Sequence, residues 1–218
     1  MRELIRIPIV HTAVELGSLS DSVKRLHVQR RGRRAWEQHV QAIDELWSRF
    51  RQEVNALELD CSRVRLYQDA LPCCGRELEI VRELAGRGSP NHQFLLDLVG
   101  RGAQLMGTED PQLLIQEYEQ MRQALHSAEA GSRPRKRKGS GGSEQSRSGP
   151  AAPAGEPGRT DTASDQTLAA RDRFIAGRIC STLQDGELGL LFLGAAHRVE
   201  HLLDPDIQVR VLRGCLPG

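Results

Sequence analysis

The chain lacks any long hydrophobic run. No stretch approaches the ~18 consecutive apolar residues that a membrane-spanning helix needs, and the apolar run within residues 1–12 is too short for a signal peptide. We therefore expect a soluble, cytoplasmic protein that has no membrane partner.

A cysteine framework is also missing. The sequence has an odd number of cysteines, and they form neither a C-x-x-C pair nor a zinc-finger spacing. This pattern favours a reduced, intracellular chain with inert thiols over a disulfide-stapled fold. The five residues are Cys61, Cys73, Cys74, Cys180 and Cys215.

Excess charge and the common catalytic motifs are absent as well. Lys and Arg number 30 against 29 Asp and Glu, and the resulting net charge of +1 argues neither for nor against a nucleic-acid partner; we expect none. The chain has no G-x-x-x-x-G-K-[ST] loop, no glycine-rich dinucleotide turn after a strand, no G-x-S-x-G elbow and no H-E-x-x-H helix. These absences exclude nucleotide binding through a P-loop or a dinucleotide turn, a serine nucleophile on a G-x-S-x-G elbow and a zinc site on an H-E-x-x-H helix.

What the sequence does contain is an alternation of strand-like and helix-like segments. The apolar, β-branched segments predict strands at 3–12, 62–72, 102–111, 187–197 and 206–212. Segments with apolar residues at helical spacing predict helices at 33–58, 76–85, 89–100, 111–126 and 168–184. Such alternation predicts an α/β fold: a single domain with a largely parallel central sheet flanked by helices.

One segment, 131–166, interrupts this pattern. It is rich in Gly, Ser, Pro and charge and has almost no large apolar residue, which predicts a disordered linker. Residues 1–130 and 167–218 would then be two parts of one domain. Within the linker, the RPRKRK run at 133–138 resembles a nuclear-import or nucleic-acid patch, although a solvated linker is the favoured interpretation.

The segment 33–58 carries apolar residues with alternating steps of four and three. This seam has two explanations, packing on the sheet or a coiled coil, and the first is favoured because the seam is short. The second would allow a homodimer through this helix. The seam residues are Trp36, Val40, Ile43, Trp47, Phe50, Val54 and Leu57.

Polar residues follow the predicted strands where each one ends. The carboxyl ends of parallel strands share one edge of a sheet, and ligands bind there. We therefore expect the side chains of His11, Asp69, Glu109 and His197 to open onto one cleft, with Arg171 at its border as an anion clamp. These five residues are the predicted catalytic set. A divalent metal would be held by His11, Glu15 and His197, and an acid/base pair is the alternative chemistry.

Several of these residues also have plainer explanations. Asp110 precedes Pro111 and suits a helix N-cap. His197 could bond a neighbouring carbonyl, and Glu15 could be a solvated loop residue. Asp172, next to Arg171 in a predicted first helical turn, could complement the helix dipole.

The segment RDRFIAGRICSTLQDGELGLLFLGAAHRV, 171–199, resembles the C-terminal signature of the TraB, ChaN and erythromycin-esterase-like superfamily. That signature is an R-[DN]-x-x-[MI]-A helix followed by an apolar strand ending in G-x-x-H. The matching residues are Arg171, Asp172, Ile175, Ala176, Gly194 and His197. In that superfamily the N-terminal strand also ends near a histidine or a glutamate, which implies equivalent positions for His11 and Glu15.

The resemblance implies a fold more firmly than a reaction, because the superfamily holds esterases, metal-dependent peptidases and haem-binding or regulatory proteins. The expected function is hydrolysis of an ester or peptide bond in a small-molecule or peptide substrate, assisted by a divalent metal. The alternative is a non-catalytic protein that binds haem, a metal or an anion.

Overall fold

The computed structural model describes residues 1–131 and 161–212, and the side chains of 1–128 and 163–212. Most of the predicted linker, its RPRKRK run and Cys215 lie outside these residues. The two ends of the predicted linker require a correction, because a helix extends to Gly131 and the next begins at Asp161.

The described chain alternates strands and helices as expected. The strands are β1 (Arg2–Ile9), β2 (Val64–Gln68), β3 (Gln104–Met106), β4 (Leu188–Gly194) and β5 (Ile207–Val211). The helices are α1 (Ser20–Arg31), α2 (Arg33–Asn55), α3 (Glu77–Gly86), α4 (Pro90–Gly100), α5 (Pro111–Gly131) and α6 (Asp161–Thr182).

All five strands join one parallel sheet in the order β3-β2-β4-β1-β5. The strand LGLLFLG, β4, lies at the centre, and its five middle residues are buried, as expected for a parallel strand covered on both faces. The alternating strand β5 lies at an edge, as its pattern predicted. The carboxyl ends of β1, β2 and β4 therefore meet side by side.

Helices cover both faces of the sheet. On one face Ile5, Leu66 and Phe192 belong to a core that α2, α3 and α4 complete. On the other face Leu191 and Leu193 pack with Ile175 and Ile179 of α6. The predicted α/β class with a largely parallel sheet is confirmed.

Most of the seam of α2 points into the chain's own core. Ile43, Trp47, Phe50 and Val54 are buried there, so packing in the core explains this part of the seam, whereas Val40 is exposed. The homodimer through this helix stays a prediction.

Helix α1 was not predicted from the sequence. Its residues, SDSVKRLHVQRR, are mostly polar, and Leu26 is the one member that the structure buries. A helix with so narrow an apolar stripe gives little periodic signal.

None of the described helices combines the length and the apolar character that crossing a membrane would require. Cys61, Cys73, Cys74 and Cys180, which are the cysteines in the described part of the chain, are free thiols.

An ion pair ties β2 to the turn before β4. The Arg65 guanidinium donates to both carboxylate oxygens of Glu187, at 2.5 and 2.9 Å, and this bond, which outweighs partial burial, lowers the pKa of Glu187 from its ordinary 4.5. We expect Glu187→Gln to lower the free energy of unfolding at pH 7 by about 1 kcal/mol, after allowance for partial exposure.

The loss should depend on pH in a defined direction. A carboxyl whose pKa is lowered by folding stabilises the fold above its unfolded pKa, and this contribution disappears as the pH falls through the folded value. Urea titrations of the wild type and Glu187→Gln should therefore differ at pH 7 and converge as the pH falls below the lowered pKa of Glu187. Glu3→Gln, a substitution at an exposed position of β1, is the control; a pH-independent deficit in Glu187→Gln would contradict this account.

Candidate functional site

The register of the sheet brings the two predicted histidines together. Ile9 pairs with Gly194 at the ends of the adjacent parallel strands β1 and β4. His11 lies two residues beyond Ile9, and His197 lies three residues beyond Gly194. The expectation that both histidines share one edge is confirmed.

His11 lies between two carboxylates. Its Nδ1 is 3.0 Å from Glu15 Oε2, and its Nε2 is 3.3 Å from Asp69 Oδ2. Burial disfavours the charged ring, but the bonds to Asp69 and Glu15 overcome that penalty and raise the pKa of His11 to about 10. The imidazole has a relative accessibility of 34%, so solvent or a ligand can reach it.

Glu15 is not the solvated loop residue that one interpretation suggested. Its side chain is buried, and it accepts bonds from the Ser89 hydroxyl at 2.7 Å and the Thr12 amide at 3.3 Å. Burial opposes its ionisation, but its bonds with His11, His92 and Ser89 hold the pKa of Glu15 well below its usual range. Glu15 therefore holds Nδ1 of His11, and Asp69, instead of the Glu15 predicted as a metal ligand, is the carboxylate at Nε2.

His197 has a matching arrangement. Its Nδ1 is 2.6 Å from Asp172 Oδ1, and its Nε2 is 3.6 Å from Asp69 Oδ2. The Arg198 amide holds the other oxygen of Asp172 at 2.8 Å. Burial lowers the pKa of His197, but the carboxylates of Asp69 and Asp172 raise it by more. The net result is a raised pKa. His197 bonds a carboxylate, so the alternative of a structural histidine on a carbonyl is wrong.

Asp69 is the common neighbour of both imidazoles. Its Oδ2 accepts the Gly194 amide at 2.9 Å, and its Oδ1 accepts Arg171 Nη2 at 2.8 Å. Although burial opposes ionisation, the imidazoles of His11 and His197 hold the pKa of Asp69 well below its ordinary value. Oδ2 of Asp69 thus faces both imidazoles, and Oδ1 accepts a hydrogen bond from the Arg171 guanidinium.

Arg171 is anchored by Glu109 behind the site. Its Nε and Nη2 donate to the two oxygens of Glu109 at 2.8 and 2.5 Å, and its Nη1 bonds Glu117. Burial disfavours the charged form of Glu109 more than the neighbouring Arg171 guanidinium favours it, so the pKa of Glu109 is raised. Glu109 is wholly buried, so the expectation that it opens onto the cleft is wrong.

The backbone next to Asp69 is strained. Ala70 has a φ of 61°, a left-handed conformation that alanine rarely adopts and that costs roughly 1–2 kcal/mol. The Ala70 amide donates to Glu109 Oε1 at 3.1 Å, so the Glu109–Arg171 pair also holds this turn. Strain of this kind often accompanies functional residues.

A cavity of about 510 Å³ opens above these residues. His11, Glu15, Asp69, Arg171 and His197 line its polar end. The remaining wall is largely apolar and comes from the chain before α1 and from α5 and α6: Leu16, Leu19, Leu114, Tyr118, Met121 and Leu168.

Both imidazoles place a ring nitrogen at metal-ligand spacing from one carboxylate oxygen. Asp69 Oδ2 lies 3.3 Å from His11 Nε2 and 3.6 Å from His197 Nε2. Tetrahedral ligands each about 2.0–2.2 Å from zinc lie about 3.3–3.6 Å from one another. Glu15 and Asp172 hold the opposite ring nitrogens, which is how metal-binding histidines are usually oriented. The pairs His11–Asp69 and His197–Asp69 therefore each have the spacing of two ligands of one divalent cation.

Among the described residues, the trio whose ligand atoms all lie within 4.8 Å of one another is Asp69, Glu109 and His197. In that trio both oxygens of Glu109 already accept bonds from Arg171. A cation bound there would have to displace a buried guanidinium, whereas the trio containing His11 leaves that pair intact. We therefore assign Glu109 to Arg171 and not to a metal.

The sequence reasoning missed two residues of this cluster. Asp172 was predicted to lie in a first helical turn and to complement the helix dipole. Helix α6 begins at Asp161, however, so Asp172 lies in the middle of the helix, where it bonds His197. Glu117 gave no signal, because its role depends on α5 packing beside α6. Asp110 is the N-cap that its position before Pro111 indicated, accepting the Gln112 amide at 2.7 Å.

No protein-family model, no curated protein and no solved structure matches the chain. The superfamily resemblance therefore stays a prediction.

Gly194 allows the close approach of Asp69. A Cβ at Gly194 would lie 2.9 Å from Asp69 Oδ2, an oxygen that has little freedom to move. We expect Gly194→Ala to lower the free energy of unfolding by about 1–3 kcal/mol and, by displacing the carboxylate, to weaken divalent-metal binding.

Gly177→Ala is a matched control for this substitution. A Cβ at Gly177 on α6 would meet no atom within 4 Å, so this variant should be as stable as the wild type or more so. Thermal unfolding and zinc titration of both variants measure the effect. Unchanged values for Gly194→Ala would contradict the assigned position of Asp69.

Proposed function

We propose that the protein is a metal-dependent hydrolase that cleaves an ester or peptide bond, with His11, Asp69 and His197 as the metal ligands. The observation that carries the proposal is the shared orientation of the two histidines. Both Nε2 atoms face Asp69 Oδ2, and both Nδ1 atoms are bonded to a buried carboxylate. Histidine orientation by carboxylates is typical of metal centres.

The charge balance supports a cation. The cluster holds five carboxylates, and among the contacts described for them Arg171 is the one guanidinium side chain. In the metal-free site the raised pKa values of His11 and His197 let their imidazoles carry part of the balancing charge, and a divalent cation would replace the protons that they release on binding it. The carboxylates are those of Glu15, Asp69, Glu109, Glu117 and Asp172.

The residues around the ligands have separate roles in the proposed reaction. A bound divalent cation supplies Lewis-acid activation of the substrate carbonyl. Arg171 donates to Oδ1 of Asp69 and so fixes the position of this carboxylate, whose Oδ2 is the proposed ligand atom. Glu117, the most exposed carboxylate of the cluster at 36%, lines the cavity and accepts the proton of an attacking water.

Metal removal and restoration test the proposal. Protein treated with a chelator and dialysed should hydrolyse none of a panel of p-nitrophenyl esters and chromogenic peptides, and activity should return when Zn²⁺, Mn²⁺ or Co²⁺ is added. Glu117→Gln should bind the metal as the wild type does but lose turnover by about 10²-fold or more.

Two results would overturn parts of this assignment. Hydrolysis that survives the chelator would remove the metal from the reaction. Tight metal binding without hydrolysis of any substrate in the panel would replace the hydrolase with the alternative predicted from the sequence, a non-catalytic metal-binding protein.

A further inference from the structure

The cavity beside the proposed metal ligands has a polar end and an apolar wall. Leu114 and Met121 of α5, Leu168 of α6 and Leu16 form much of that wall. Met121 has a relative accessibility of 38% and Tyr118 of 39%, so large apolar groups are exposed inside the cavity. Exposed apolar surface within a cavity typically marks where a ligand binds.

The polar groups on the wall already have partners. The Tyr118 hydroxyl lies 2.6 Å from Ser18 Oγ, and Glu117 bonds Arg171. The described wall therefore offers a ligand hydrocarbon contacts and few free donors or acceptors. A peptide would bring an N–H and a C=O at every residue, and each would need a partner. A hydrocarbon chain needs none.

We infer that the substrate is an ester of an apolar acyl chain, which lies along the wall formed by Leu114, Met121 and Leu168 with its carbonyl at His11, Asp69 and His197. This inference rests on the proposed function and names its substrate class. In the reaction, the oxygen of water bonds to the carbonyl carbon, and the bond from that carbon to the alcohol oxygen breaks. One proton of the water passes to the departing alcohol and the other is released to solvent, leaving a carboxylate and an alcohol.

Chain length is the first test. The p-nitrophenyl esters of acetate, butyrate, octanoate and laurate present the same leaving group with increasing hydrocarbon. Each wholly buried methylene contributes about a fourfold gain in affinity, so kcat/KM of the metal-loaded protein should rise at least about tenfold from butyrate to octanoate. Equal kcat/KM values across the series would overturn the inference.

Binding without turnover is the second test. A dansyl-labelled undecanoic acid should bind the wild-type protein in the presence of a chelator, with a rise in fluorescence. Met121→Glu places a charge on the wall and should weaken this binding about tenfold or more. Ile115→Glu is the matched control, because Ile115 is an exposed apolar residue of the same helix outside the cavity lining, and it should bind within about twofold of the wild type.

The two tests separate the inference from the proposed function. Probe binding that Met121→Glu weakens, in a protein that neither binds metal nor hydrolyses esters, supports the acyl ligand and overturns the hydrolase. Metal-dependent hydrolysis without chain-length preference or probe binding overturns the acyl substrate and leaves the hydrolase standing. Equal weakening by Met121→Glu and Ile115→Glu would also overturn the assigned wall.

Discussion

Replacing Arg171 with methionine should lower the free energy of unfolding by about 3–5 kcal/mol. Arg171 bonds Asp69 and Glu109, whose side chains have relative accessibilities of 2% and 0%. Removing one partner of a buried ion pair leaves an uncompensated charge in a poorly solvated place, and losses of this size follow. Urea unfolding followed by circular dichroism measures the change.

Two further variants isolate the cause of the Arg171→Met effect. Arg173→Met, at an exposed position of the same helix, should change stability by less than about 0.5 kcal/mol. Adding Glu109→Gln to Arg171→Met removes one of the stranded charges and should restore part of the loss. A double variant as unstable as Arg171→Met would mean that lost packing, and not the stranded carboxylate, is responsible.

Replacing His197 with alanine should weaken divalent-metal binding at least about 100-fold and reduce metal-dependent hydrolysis to background. This expectation exceeds the 10–100-fold effect typical of residues that only orient a ligand, because His197 supplies a donor atom in the proposed site. Isothermal titration with Zn²⁺ and an ester assay on the same samples measure both effects.

Asp172→Asn and His201→Ala complete that comparison. Asp172 holds Nδ1 of His197, so Asp172→Asn should cost about 10–100-fold in metal affinity. His201 is an exposed histidine four residues beyond His197, and His201→Ala should bind metal as the wild type does. Equal affinities of His197→Ala and His201→Ala would remove His197 from the site.

The meeting of His11 and His197 could be predicted because it follows from sheet geometry. Both strands are apolar enough to be central and parallel, and residues just beyond the ends of such strands share an edge. The pairing of Ile9 with Gly194 adds the register, which the sequence pattern does not contain. The length of β3 was overestimated. The predicted strand covered 102–111, but only Gln104–Met106 form a strand, and the residues between it and α5 are loop and cap residues.

The pairing of Arg171 with Glu109 could be predicted only in part. Both residues were expected near one rim, but their burial depends on how α6 packs against the sheet, which no local pattern encodes. The same holds for Glu15, which a loop-like sequence suggested to be solvated and which Ser89 and His11 hold in the interior. Side-chain partners distant in sequence were thus the part that the sequence did not reveal.

Anomalous diffraction at the zinc edge, from crystals grown with one equivalent of Zn²⁺, would show whether His11, Asp69 and His197 bind a cation. We expect one strong peak about 2.0–2.2 Å from His11 Nε2, His197 Nε2 and Asp69 Oδ2, with Arg171 still bonded to Glu109. The absence of a peak at this position, or a peak bound by other side chains while these three atoms keep their present contacts, would contradict this assignment.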